Sequence, residues 1–423
     1  MITMTTRKRY EVKQILISCC IVCILVFALS FQFHGSNQLK SLELHGTNQL
    51  KNVLITPEYL LSAPLEFANP SRLPEWLYAY TEYHKNITKL EPDLRPKSTL
   101  YLKYVCRGGC GGVGDRLNGI IQGFYMALCT NRIFLIDWET PDPLNRFLAP
   151  HFVSWRQTIP SGPVLNIHSM DDNQVPSLTN PNAVPEGQSV ELISNIWVGE
   201  EEILKSTCMR DYLEQFDQDP SSTHELYRKA FWTLFQWTPG VIQRVQAIRQ
   251  NIQLFPNDSD RQSYVAVHVR TGLVKDTKDF IRSSAKASTW PQYYQCARDL
   301  QRGIQSKCSM KNVSDIPIYL AADTAQVKQN FLEWDEDASV KTVVDMEVFH
   351  VDRTNKAFLN DSDTAAFDIW ADLKLLIDST CLVMTVSKFS RLADWLPIQP
   401  RCAVQYDDCG SEQVERALAA VKC

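Results

Sequence analysis

The chain has 423 residues, a formal net charge of −5 and 44% apolar residues. That balance is ordinary for a globular protein and leaves no basic excess to make nucleic acid its main partner. The length suits two or three domains, and any phosphate bound must be held by local groups.

Arg7, Lys8, Arg9 and Lys13 precede an apolar run from Ile15 to Phe33. At ~1.5 Å per residue such a run just spans a thin bilayer, and its positive flank stays cytoplasmic. The expectation is a type II arrangement: a tail over 1–14, an anchor over 15–33 and a lumenal body. The competing reading is a cleaved signal peptide ending near Ala28-Leu29-Ser30, although the charged segment before the run is long for a signal. His34-Gly35-Ser36-Asn37-Gln38-Leu39-Lys40 then recurs as His45-Gly46-Thr47-Asn48-Gln49-Leu50-Lys51. Two copies do not make a repeat architecture, and residues 34–97 read as a stem, with Trp76 to Tyr83 able to pack on the body.

Downstream of the apolar run lie ten of the thirteen cysteines, Cys106 to Cys423. An even number in that position fits disulfides in an oxidising compartment; the close pairs Cys106/Cys110 and Cys402/Cys409 are suggestive. Sequons at Asn86, Asn257, Asn312 and Asn360 point the same way.

A first folded domain is expected over 98–255. Tyr101-Leu102-Lys103-Tyr104-Val105 reads as a strand and Asp115 to Leu128 as a helix; Ile133-Phe134-Leu135-Ile136-Asp137 reads as a second strand. Gly109, Gly111 and Gly114 between them fit G-x-G-x-x-G, with Asp137 ending the next strand. On spacing alone that is a dinucleotide fingerprint and implies an NAD(P)-dependent oxidoreductase. Asp115 opposes it, because a carboxylate at the helix start occupies the place of a pyrophosphate. Trp138, Phe147, Phe152, Trp155 and Trp197 are candidates for an acceptor groove or for core. His224–Trp237 and Val241–Ile252 read as helices.

A second domain is expected over 256–423, where strands and helices alternate as in a doubly wound parallel sheet. Its strands are 264–270, Ile316–Ala322, Lys341–Val344 and Cys381–Thr385. Three strand ends carry polar groups: His268 with Arg270, Asp323, and Ser387-Lys388-Phe389-Ser390. In a parallel sheet these ends share one edge, the edge at which open α/β sheets bind ligands. A guanidinium and a serine-capped helix start there can hold a diphosphate. Four D-x-D segments, at Asp217, Asp258, Asp335 and Asp361, raise a metal-dependent alternative but follow no strong strand.

His268-Val269-Arg270-Thr271-Gly272 resembles the H-x-R motif of the GDP-fucose-dependent fucosyltransferase superfamily. That group holds the nodulation and core α1,6-fucosyltransferases and the protein O-fucosyltransferases. Gly111-Gly112-Val113-Gly114-Asp115-Arg116 resembles its first-domain G-G-x-G-[ND]-R loop, and Asp372 to Leu392 its C-terminal donor-site motif. The resemblance implies a GT-B fold, two Rossmann-like domains facing a cleft. It also implies inverting transfer of fucose from GDP-fucose to a hydroxyl of a glycan or glycoprotein, without metal or further cofactor. A Golgi membrane protein is the matching location; a non-catalytic lumenal binding relative is the alternative. Carried over by position, Arg270 binds the diphosphate and stabilises departing GDP. His268, Asp323, Asp372, Ser387, Phe389 and Ser390 shape the donor pocket, and Gly112, Gly114, Asp115 and Arg116 close it from the first domain. Some members carry a second Arg where this chain has Thr271. The base expected in the following loop is Asp276, with Asp279 as the other choice.

Overall fold

A computed structural model describes residues 63–107, 110–157, 164–168, 187–193, 206–216, 222–255, 263–274, 277–278, 286–310, 316–344, 363–397 and 401–423. The expected anchor at 15–33 lies outside them. Among the described residues no helix is long and apolar enough to cross a membrane.

Helix α1 (Glu75–Thr88) comes first. Trp76, Leu77, Tyr80, Thr81 and His84 recur at helical spacing and are buried. The Tyr80 hydroxyl donates to the Arg132 carbonyl at 2.9 Å, and His84 Nε2 meets the Phe134 carbonyl at 3.0 Å. Residues 63–97, expected to be stem, therefore belong to the folded body. The correction was half visible in the aromatic spacing from Trp76 onward.

The first sheet is built from β1 (Tyr101–Cys106), β2 (Ile133–Trp138), β4 (Val164–His168) and β5 (Ser189–Ile193), in the order β2-β1-β5-β4 and parallel throughout. Helix α2 (Val113–Cys129) crosses from β1 to β2. Short β3 (Leu148–Pro150) pairs antiparallel with β6 (Phe235–Trp237), so the helix expected to reach Trp237 stops at Leu234. Helices α3 (Thr207–Glu214), α4 (Thr223–Leu234) and α5 (Pro239–Asn251) complete this half.

The second sheet contains β7 (Val265–Val269), β10 (Ile318–Ala322), β11 (Val340–Lys341), β12 (Cys381–Met384) and β13 (Cys402–Gln405). Its order is β11-β10-β7-β12-β13, again all parallel. A two-residue ribbon of β8 (Leu273–Val274) and β9 (Thr277–Lys278) follows β7. Helices α6 (Trp290–Lys307), α7 (Ala325–Trp334), α8 (Asp363–Asp378), α9 (Lys388–Trp395) and α10 (Ser411–Leu418) surround the sheet.

The described residues form one compact unit. One apolar cluster runs through it from Trp76 and Phe124 on the first sheet's side to Ala266, Tyr319 and Trp370 on the second's. The opposite face of the second sheet has its own cluster around Val267, Leu320 and Val383. Alternation along β7 assigns Ala266 to the shared core and Val265, Val267 and Val269 to the other. Trp138, Phe147 and Trp155 are buried, with Phe147 stacked on Trp370 at 5.3 Å. They pack in the core, and Trp138 and Phe147 also line a small depression with Pro141, Asp142 and Trp370; Phe152 is half-buried, and Trp197 lies outside the described residues.

All ten downstream cysteines pair: Cys106–Cys110, Cys129–Cys208, Cys296–Cys409, Cys308–Cys423 and Cys381–Cys402. The close pair at the glycine turn is as suggested. Cys402 and Cys409 are not partners, because Cys402 stands opposite Cys381 across β12 and β13 while Cys409 reaches α6.

Candidate active site

Parallel sheets bind ligands where strand order reverses, outside the carboxyl ends of the strands. In the second sheet the chain leaves β7 for β10 on one side and later returns to β12 on the other. That rule points to the place outside the ends of β7 and β12, which lead to Arg270 and Ser387. In the first sheet the corresponding place lies between β1 and β5, where β1 runs into the glycine turn.

Asp323 organises the turn after β7. Its Oδ1 accepts from the Thr271 amide at 2.8 Å and hydroxyl at 2.7 Å, and its Oδ2 from the Gly272 amide at 2.9 Å. Gly272 takes φ +69°, a left-handed conformation that suits glycine. Arg270 Nη1 lies 3.4 Å from Asp323 Oδ2, with about a sixth of its side chain (16%) exposed. Asp323 therefore holds the loop and aims the guanidinium, with its own oxygens already engaged. Thr385, 1% exposed, bridges the strands: its hydroxyl donates to the His268 carbonyl at 2.7 Å and accepts from the Arg270 amide at 3.1 Å. Sequence reasoning passed over Thr385, whose only signal was its place at a strand end.

Ser387 caps α9, accepting from the Ser390 amide at 3.1 Å. Its hydroxyl also lies 3.0 Å from that of Ser390, which in turn meets His268 Nδ1 at 2.5 Å. The Phe389 ring sits 5.2 Å from the imidazole. Burial, the largest influence, pulls the His268 pKa down to about 4; Asp323 opposes and Arg270 adds to the fall. The imidazole is neutral at pH 7. The unfolded state therefore binds the extra proton between about pH 6.5 and 4, and stability falls as pH drops through that window. Melting temperatures should decline from pH 6.5 to 4, and less steeply for His268→Gln. Parallel curves would remove His268 from this account.

The glycine turn reaches the same place from the first sheet. Gly111 has φ +76°. The Gly112 amide donates to Asp115 Oδ2 at 3.1 Å, a carboxylate cap on α2. A methyl built on Gly114 would lie 2.6 Å from the Phe389 nitrogen and 2.8 Å from the Lys388 carbonyl carbon. Gly114 thus serves a contact between the starts of α2 and α9. The face of α2 that Gly114 presents is covered by the chain's own backbone. Gly114→Ala should lower the melting temperature by several degrees, since overpacking against backbone costs ~1–3 kcal/mol. An unchanged melt would mean that the two helix starts are free to part.

Arg116, expected to close the donor pocket, is folded back into the protein. It is 1% exposed, donates from Nε to the Gly111 carbonyl at 2.9 Å and from Nη1 to the Thr140 carbonyl at 2.6 Å, and lies over the Trp138 ring. Its role is to brace the glycine turn. Asp372 is also apart from this group: it accepts from the Tyr319 hydroxyl at 2.5 Å on α8, and burial pushes its carboxyl up to about 6. Asp276 and Asp279 lie outside the described residues. Of the D-x-D segments, Asp335 accepts from Ser339 and Val340 while Asp337 pairs with Arg298, so both are engaged in structure.

No protein-family model matches the chain, and no curated protein matches it by sequence. Solved structures do match. A variant of Arabidopsis thaliana FUT1 in complex with GDP is 12% identical, over 77% of this chain and 78% of that one, with a TM-score of 0.48. The fucosyltransferase NodZ from Bradyrhizobium is 16% identical over 73% and 96%, with a TM-score of 0.39. POFUT1 in complex with GDP-fucose is 10% identical over 74% and 99%, also at 0.39. These structural neighbours are fucosyltransferases, and the likeness is one of fold.

Proposed function

We propose that the chain is a fucosyltransferase that takes GDP-fucose as donor and a hydroxyl of a glycan or glycoprotein as acceptor. One observation carries the reading. Arg270 and Ser387 follow the neighbouring strands β7 and β12, and Gly114 packs against the Lys388–Phe389 backbone, so segments that resemble three fucosyltransferase motifs and lie far apart in sequence are neighbours in the fold. A guanidinium beside a capped helix start suits a diphosphate, and as the bond to fucose breaks it stabilises the charge gathering on GDP. The resemblance further implies inversion without a metal ion, with Asp276 accepting the acceptor's proton. Five disulfides and the exposed sequon Asn86 suit an oxidising, lumenal setting, with residues 15–33 as the anchor of a Golgi type II protein.

The test is a thermal-shift screen of the purified chain against nucleotides and nucleotide sugars, followed by GDP release from GDP-fucose with a panel of glycan acceptors. Stabilisation by GDP and GDP-fucose, with turnover, is the expected result. Binding without turnover would favour a non-catalytic relative; protection by NADPH in place of GDP would overturn the reading.

A further inference from the structure

Helix α1 turns one face to the core and the other to solvent. Trp76, Leu77, Tyr80, Thr81 and His84 form the buried stripe. At about 100° per residue, Asn86 stands about 150° round the helix from the middle of that stripe. It is exposed, as are Lys85 and Lys89 close by. Among the described residues the Asn86 side chain has no hydrogen-bond partner. A large group attached there displaces no packing and breaks no contact.

Asn86-Ile87-Thr88 is a sequon whose surroundings the structure describes; those at Asn257, Asn312 and Asn360 lie outside the described residues. All three of its residues are helical in the folded chain. There the Thr88 hydroxyl donates to the His84 carbonyl, one turn back, at 2.8 Å. His84 and Tyr80 in turn tie α1 to the start of β2, through the Phe134 and Arg132 carbonyls. The hydroxyl that completes the sequon is therefore engaged once α1 has docked, and is open to an enzyme in chain not yet folded. The start of β2 is also the far end of the parallel strands from the candidate active site, so a group on Asn86 leaves that site uncovered.

We infer that Asn86 carries an N-linked glycan, attached before α1 docks on the first sheet. The side-chain nitrogen bonds to the anomeric carbon of an oligosaccharide carried as a lipid diphosphate. The bond from that carbon to the diphosphate breaks, the diphosphate leaves with the electron pair, and the nitrogen gives up one proton. The product is a bulky, solubilising group on an open helix face. The inference rests on the lumenal setting proposed above and assigns a modified residue to it.

The test is expression of the full chain in secretory eukaryotic cells, with its mobility and peptide masses read before and after treatment with a peptide N-glycosidase. The native chain should lose mass, and the peptide that spans Asn86 should emerge with the mass of an aspartate at that position. Asn86→Gln and Thr88→Ala should each run one glycan lighter than the native chain, whereas Thr88→Ser should not. Folded, unglycosylated chain offered microsomal membranes should stay unmodified, while chain translated in their presence is modified. Equal modification of both would overturn the order of events. If removing Asn257, Asn312 or Asn360 changes the mobility and removing Asn86 does not, only the Asn86 inference falls. If the native chain carries no N-glycan at all, the lumenal setting falls with it. The donor reading, tested by GDP binding, stands or falls apart from both.

Discussion

Arg270→Ala is expected to reduce GDP release from GDP-fucose by about a thousandfold while the protein stays folded. Removing one preorganised group that stabilises developing charge costs ~10²–10³ in rate. Folding should survive because Asp323 keeps its three hydrogen bonds to Thr271 and Gly272, and the Arg270 amide still has Thr385. Arg270→Lys should recover only part of the rate, since an ammonium cannot place two parallel donors on phosphate oxygens. Turnover by the alanine variant within tenfold of the native chain would end the assignment of Arg270 as the group that carries the leaving charge.

Asp323→Ala should have the largest effect on stability. The side chain is buried and answers two amides, one hydroxyl and a guanidinium. Removing one partner of a buried, hydrogen-bonded charge pair costs ~3–5 kcal/mol, because the other groups are left without an acceptor. Chemical denaturation should show that loss with an unchanged dependence on denaturant. Asp323→Asn should fall between, since an amide offers one acceptor oxygen where the carboxylate has two. An alanine variant within ~1 kcal/mol of the native chain would mean that the turn is held by other contacts.

The alternation of strands and helices was legible because the central strands of the second sheet are buried on both faces and read as short apolar runs. Val265–Val269 and Ile318–Ala322 are the clearest cases. Strand β13, Cys402–Gln405, was missed because it has only four residues, is half-buried at alternate positions and follows Pro397 and Pro400 closely. Helix α1 was assigned to a stem because the prolines around it outweighed the Trp76, Tyr80 and His84 spacing. At the candidate site, the serine before a helix is the cap that its position suggests, Ser387, and the charge at the end of β7 lies beside Asp323. For Arg116, sequence shows that an Arg follows a glycine turn but not which way it folds. Here it turns back onto Gly111 and Thr140. Thr271 and Thr385 were passed over for a related reason: hydroxyls that tie neighbouring strands together look, in one dimension, like any other threonine.

The contact at Gly114 has a bearing on how this protein transmits force. Main chain touches main chain there, with no rotamer between them to absorb displacement. A rigid joint of that kind couples its two sides directly. If α9 shifts by a fraction of an ångström, α2 must shift with it, and with α2 the end of β1 from which it springs.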